Sequence, residues 1–317
     1  MNRLNEKEII KIFQKTLENS KFVSEDVEVF KLGKSNCISK VDTLVESTDI
    51  PHGMSLKDAI RKSVVASVSD FAAKGVKPQY GMVSLTIPKT FSKSKIKELA
   101  AGLRGAAKEF KIKIIGGDTN EGKELVIQVS LFGTSKKIIS RKGAKVKDVI
   151  VTTGPFGYTA AGLKIILDKK KTNSNFSKKA KNSVFRPIPR LNFGVACCKF
   201  FSSSMDSSDG LSGTLHEMSS QSKKQFVITK LPANKDLLDF AKKNRIDPLN
   251  LIFNGGEEYE IIFTINPVNL SKIKKTAKSQ KISLFEIGFV KNGADVIYKT
   301  GTKTIGIKNK GWLHFGR

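Results

Sequence analysis

The stretch SLKDAIRKSVVASVSDFAAKG, residues 55–75, reads as one long helix, with Ser55 placed to cap its start and Gly75 to end it. Strand GMVSLTI (81–87) follows, then a helix from Lys93 to Phe110, strand IKII (112–115) and the long strand ELVIQVSLFG (124–133). Ahead of the stretch lie strands EVFKL and CISKV and a first helix, Asn5 to Asn19, with Ile9, Ile10, Phe13 and Leu17 on one face. Beyond it, Arg141 to Lys147 is a charged, Gly-containing connector.

A second series then begins. Strand DVIVTTG meets Gly154-Pro155-Phe156-Gly157, which opens the helix GYTAAGLKIIL. A Lys/Asn/Ser-rich loop spans 169–183, and a helix from Leu191 to Phe201 runs up to SSMDSSDG. Asp209 can cap the helix GLSGTLHEMSSQ. Strand QFVITKL, helix 234–244, the turn Gly255-Gly256-Glu257-Glu258, strand EYEIIFTI and further strands to residue 308 complete the chain. Strands alternating with helices in both halves predict an α/β (α+β) protein of two domains, 1–144 and 145–317.

Composition narrows the class. The chain has 317 residues, 39% hydrophobic and 27% charged, which predicts a soluble globular protein with a substantial core. No apolar run approaches the roughly 20 residues of a membrane helix, and the N-terminus lacks a signal-peptide core, so no membrane partner is expected. Cys37, Cys197 and Cys198 form no CxxC pair and read as reduced thiols of a cytoplasmic protein. The net charge of +27 raises a nucleic-acid reading. Against it, the lysines are spread through most surface segments, the one cluster around 169–181 carries only Phe176 as an aromatic, and no recognition motif surrounds it. The charge also suits anionic substrates steered into a cleft.

Chemistry gathers in three acidic segments: Val41-Asp42-Thr43, Gly116-Gly117-Asp118-Thr119 and Met205-Asp206-Ser207-Ser208-Asp209-Gly210. Converging, they would make one negative hole in a positive surface, a place for hard divalent cations and their phosphates. Asp70 lies near the C-terminal end of its helix, where an anion opposes the helix dipole and a cation would offset it. Residues 117–123 have Walker A spacing, but Glu124 replaces the metal-ligating hydroxyl and a strand follows, so a P-loop is rejected. His52, His216 and His314 share no metal-ligand spacing, and no nucleophile elbow exists. Carboxylates with glycines point to magnesium-phosphate chemistry.

Together the segments resemble a known family. In order they are Ser24-Glu25-Asp26, Val41-Asp42-Thr43-Leu44-Val45-Glu46, Ser69-Asp70-Phe71-Ala72-Ala73-Lys74-Gly75, Gly116-Gly117-Asp118-Thr119, Arg141-Lys142-Gly143-Ala144, Pro187-Ile188-Pro189-Arg190, Asp206-Ser207-Ser208-Asp209-Gly210-Leu211, Gly255-Gly256-Glu257-Glu258-Tyr259-Glu260 and Gly311-Trp312-Leu313-His314-Phe315. Their order and spacing are similar to thiamine-monophosphate kinases, most like the archaeal branch, over nearly the whole chain. The wider superfamily includes aminoimidazole ribonucleotide synthetase, selenophosphate synthetase and a hydrogenase maturation factor. The second of these would need a reactive Cys or Sec near the N-terminus and the third a C-terminal Cys, whereas this chain ends WLHFGR.

The resemblance implies ATP-dependent phosphorylation of thiamine monophosphate to thiamine diphosphate in a homodimer whose N-terminal sheets form a barrel. It implies magnesium on Asp26, Asp42, Asp70, Asp118, Asp206 and Asp209, with Val41 offering backbone only. Gly117, Asp118, Arg141 and Ser208 would meet ATP, and Glu257 and Trp312 the thiamine. Asp49 stands where the family has a substrate-contacting His. Lys40 and Val41 stand where it often has hydroxyls, Ser24-Glu25-Asp26 replaces Gly-Asp-Asp, and small residues near Gly102 replace an aromatic ATP contact. The nucleophile would be a substrate phosphate oxygen, already largely ionised with a second pKa near about 6, so no protein base is expected.

Overall fold

A computed structural model describes residues 4–18 and 24–312, except the side chain of Lys7. Asn19 of the expected first helix and Leu313, His314 and Phe315 of the last motif lie outside the described residues.

The first half holds α1 (Glu6–Thr16), β1 (Glu28–Leu32), β2 (Ser35–Val45), α2 (Glu46–Asp49), α3 (Leu56–Lys74), β3 (Pro78–Pro88), α4 (Lys93–Phe110), β4 (Lys113–Gly122) and β5 (Val126–Thr134). The second holds β6 (Val149–Thr152), α5 (Tyr158–Ile166), α6 (Ser174–Phe185), α7 (Leu191–Cys197), β7 (Phe201–Asp206), α8 (Leu211–Ser222), β8 (Gln225–Ile228), α9 (Lys235–Lys243), α10 (Pro248–Asn254), β9 (Ile261–Ile265), α11 (Leu270–Ser279), β10 (Phe285–Lys291), β11 (Val296–Thr300) and β12 (Lys303–Gly306). Each half builds one sheet. The first runs β1-β2-β5-β3-β4 and the second β12-β11-β8-β10-β6-β9-β7. Both are mixed, with β3–β4 and β8–β11 the parallel pairs.

α3 is the hinge of the architecture. The Ser55 side chain accepts from the Asp58 amide at its start, and Gly75 takes a left-handed conformation at its end. Nearly every side chain along it is buried, as expected of a helix held between two layers rather than on a surface. Val64, Val68, Phe71 and Ala72 share one core with Ile127, Val129 and Leu131 of the first sheet and Val151, Phe263 and Ile265 of the second. A separate core under α5, α8, α9 and α10 fills the second half alone.

Four expectations are corrected. Loop 169–183 contains much of a helix, α6. Asn173 caps it, and Phe176, Ala180 and Val184, at helical spacing, bury one face that the lysines between them obscure. The helix from Leu191 stops at Cys197 and passes through one tight turn into β7, so Asp206 ends a strand. The cap position of α8 is Gly210 at φ 105°, and no side chain caps that helix; Asp209 stands one residue outside. Asp118 does not follow a strand but lies within β4, which pairs with β3 as far as Pro88–Gly122. Gly117 allows this, because a Cβ there would sit 1.8 Å from the Val83 carbonyl oxygen. The structure adds α10 between the 234–244 helix and the Gly-Gly-Glu-Glu turn.

Candidate active site

β2 alternates. Ile38, Lys40, Asp42 and Leu44 face α3, while Val41 stands on the other side with half its surface exposed. α3 answers with Ser67, Asp70 and Lys74 along one stripe, since residues three and four apart on a helix share a face. β7 delivers Asp206 at its end, and the chain just before β1 delivers Asp26. Asp26, Asp70 and Asp206 are all buried, and one oxygen of each lies within 4.8 Å of the others. Ser69 Oγ donates to Asp206 Oδ2 at 2.9 Å, and Ser67 Oγ donates to Asp42 Oδ2 at 2.7 Å.

Cations are built into this cluster. The fully buried Lys74 Nζ lies 2.9 Å from Asp26 Oδ2 and 2.7 Å from Glu25 Oε2, and donates to the Ser204 carbonyl oxygen at 2.9 Å. Arg141 Nε donates to Asp26 Oδ1 at 2.6 Å, its Nη1 to Ser24 Oγ at 2.8 Å and its amide to Glu25 Oε1 at 3.0 Å. Lys40 Nζ lies 3.0 Å from Asp70 Oδ2 and 3.5 Å from Asp42 Oδ1.

The charges respond accordingly. Burial pushes Asp26 up, but Lys74 and Arg141 outweigh it and hold its carboxyl below the usual range. Burial, aided by the negative charges of Asp206, Asp42 and Asp26, drives Asp70 well above its ordinary value despite Lys40. Asp206 is pushed up to about 7 by burial and by the charge of Asp26. Such mutual repulsion is what a bound cation relieves. An all-oxygen, buried and crowded donor set fits a hard divalent ion such as magnesium.

The second face of the site is a laced loop. The Glu257 amide donates to the Ser208 carbonyl oxygen at 2.5 Å and the Tyr259 amide to that of Ser207 at 2.9 Å. Glu257 and Tyr259 both take positive φ (62° and 52°), costly for residues with side chains and held by this lacing. Lys62 Nζ reaches Glu257 Oε1 at 2.5 Å and donates to the Asp49 carbonyl oxygen at 3.0 Å. Burial pushes Glu257 up against the pull of Lys62. Ser208 Oγ donates to Asp209 Oδ1 at 3.2 Å, and the amide of the exposed Trp312 donates to the Asp209 carbonyl oxygen at 2.8 Å. The described start of the C-terminal motif, Gly311-Trp312, therefore returns to the acidic segment.

Not every expected residue converges. Asp49 accepts the Val45 amide at 2.7 Å, which closes the short turn after β2. Asp118 is exposed and accepts from Asn120 Nδ2 at 3.3 Å. Asp42 aligns across the sheet with Val129, Val83 and Gly117. Asp118 therefore falls one residue on, on the opposite face and three strands away, about 14 Å at ordinary strand spacing. Sequence reading passed over Lys40, Lys62 and Lys74 as site members, and over Ser67 and Ser69. Their signal was position: Lys40 two residues before Asp42 on a strand, Lys74 four after Asp70 on a helix.

Comparisons with known proteins agree with this frame. Residues 24–135 match the family model described as AIR synthase related protein, N-terminal domain. A thiamine-monophosphate kinase of Nitrosopumilus maritimus is 57% identical over 315 residues, covering 99% of this chain and 100% of that relative. One from Pyrococcus horikoshii is 31% identical, covering 99% of this chain and 97% of its own. A solved structure described as AaThiL complexed with AMPPCP and TMP superposes with a TM-score of 0.85 at 26% identity, covering 99% of both chains.

Proposed function

The chain belongs to the thiamine-monophosphate kinase family, and from that premise we infer that it transfers the terminal phosphoryl group of ATP to thiamine monophosphate, giving thiamine diphosphate. The observation that carries this reading is the convergence of Asp26, Asp70 and Asp206 beside Asp42, in a chain related to such kinases along its whole length. The neighbour complexed with AMPPCP, an ATP analogue, and TMP supports both substrates.

Asp26, Asp42, Asp70 and Asp206 would hold magnesium, with Asp209 at the rim and the Val41 backbone beside them. When bound, magnesium screens two polyanions from one another and stabilises the transferring group. The chain's own residues do the rest. Ser67 and Ser69 fix the carboxylate rotamers of Asp42 and Asp206, while Lys74 and Arg141 keep Asp26 ionised. Gly117, Asp118, Arg141 and Ser208 are assigned to the nucleotide. Glu257, oriented by Lys62, and Trp312 are assigned to the cationic thiamine, which suits a carboxylate and an indole face. Asp49 stands beside them through Lys62. No protein base is needed, because the attacking phosphate oxygen is already largely ionised at neutral pH.

The working unit in this reading is a homodimer. Val29, Phe30, Leu32, Val41, Tyr80, Met82 and Ile115 leave large apolar side chains exposed on the first sheet. Two such sheets closing into a barrel would cover them, and would let the Asp118 of one copy serve the cluster of the other. Residues 1–144 then form the nucleotide and dimer domain, and 145–317 the domain that completes the site. Among the described residues no helix is long and apolar enough to cross a membrane, and unpaired thiols favour a cytoplasmic setting. ADP release with magnesium and ATP, measured with and without thiamine monophosphate, tests the reading: release must depend on that substrate.

A further inference from the structure

We propose that Lys40 is a resident cation of the acidic cluster, its ammonium taking one position between Asp42 and Asp70 that a divalent ion would otherwise occupy. The inference rests on the reading above that the cluster holds magnesium.

Three observations carry it. The first is geometric. Lys40 and Asp42 are two apart on β2 and so project from the same face, the face covered by α3. Its side chain is only 24% exposed, and its Nζ lies within salt-bridge distance of both Asp70 and Asp42.

The second is the charge balance. Asp26 already has two cations, Lys74 and Arg141. Among the described residues, Lys40 is the cation in salt-bridge contact with Asp42 and Asp70. Removing Lys40 would leave Asp42 and Asp70 without this cation and make the cluster one unit more negative.

The third is chemical. An ammonium offers three donors and one charge at the end of a flexible stem. It can satisfy carboxylate lone pairs as a metal does, but it brings no open coordination position to a phosphate. A lysine in this place neutralises the carboxylates without recruiting substrate oxygens. The chain would then work with a smaller set of divalent ions.

The test is metal counting without nucleotide. Mn2+ is titrated into metal-free protein and bound ion is followed by electron paramagnetic resonance, for wild type, Lys40→Ser, Lys40→Met, Lys40→Arg and Asp70→Asn. Expected are one additional Mn2+ per chain, or a Kd lowered about tenfold or more, in Lys40→Ser and Lys40→Met, with Lys40→Arg like wild type. In parallel, Mn2+ should raise the Tm of Lys40→Met by several degrees more than that of wild type. Identical counts, affinities and Tm shifts in wild type and the Ser and Met variants would overturn the assignment. If wild type binds Mn2+ and Asp70→Asn loses it while the Lys40 variants match wild type, the metal reading stands and the role of Lys40 falls. If no form binds Mn2+, both fall.

Discussion

Lys62 Nζ sits 2.5 Å from Glu257 Oε1, an ion pair between the middle of α3 and the loop that follows α10. The lysine is buried, and it also donates to the Asp49 carbonyl oxygen. One side chain therefore sets the position of Glu257 relative to the end of α2.

Lys62→Met should free Glu257 to move and leave the acidic cluster untouched. The KM for thiamine monophosphate is expected to rise about tenfold or more, with the KM for ATP nearly unchanged. Trp312→Ala should act on the same constant. Steady-state kinetics in each substrate check both, and equal changes in the two KM values would assign these residues to structure.

Asp70→Asn should lower kcat by at least about a hundredfold without unfolding the protein. Asparagine has the shape and volume of the buried aspartate it replaces, so the packing around it is kept. Circular dichroism with a turnover assay decides; a folded variant at near wild-type rate would remove Asp70 from the chemistry.

Gly117→Ala should fail through the fold, not through the nucleotide. A Cβ 1.8 Å from the Val83 carbonyl oxygen must push β4 away from β3, at a cost of about 1–3 kcal/mol or more. Denaturant melts should show the loss even in the absence of ATP, whereas an unchanged melting midpoint would contradict the packing described.

Glu258 gives a pH signature. Burial lifts its carboxyl to about 7 from 4.5, although it accepts the amides of Gly157 at 2.7 Å and Thr159 at 3.2 Å where α5 begins. A raised folded-state value means that the folded chain binds the proton more tightly. The stability it contributes is full below about pH 4.5 and is lost as pH rises through 7. Glu258→Gln should flatten that part of the stability curve. Thermal melts at closely spaced pH values measure it, and parallel curves for the two proteins would refute it.

The elements of the first half were readable because their signals are local. Ser55 and Gly75 bracket α3, and the helix expected from Lys93 to Phe110 is α4 to the residue. α6 and Asp209 were misread because composition and capping preference compete with packing: α6 hides Phe176, Ala180 and Val184 among lysines, and α8 begins at a glycine that no L residue could replace without strain. In the site, Asp42 and Asp206 stand out in short acidic segments of a basic chain and Asp70 by its place near a helix end, whereas Asp26 is reached only through the family resemblance. Lys62 and Lys74 are hidden in the opposite way, among 56 lysines and arginines, and only tertiary structure separates them from the surface; Lys40 is visible as a departure from the family pattern, but its pairing with Asp70 is not.

Lys74 touches Glu25, Asp26 and the Ser204 carbonyl oxygen at once. The segment ahead of β1 is thus fastened to the second sheet by one ammonium at the end of a helix that belongs to neither. Removing Glu25 and Asp26 would strand a positive charge in the interior, so these two residues just ahead of β1 are part of the protein's keel.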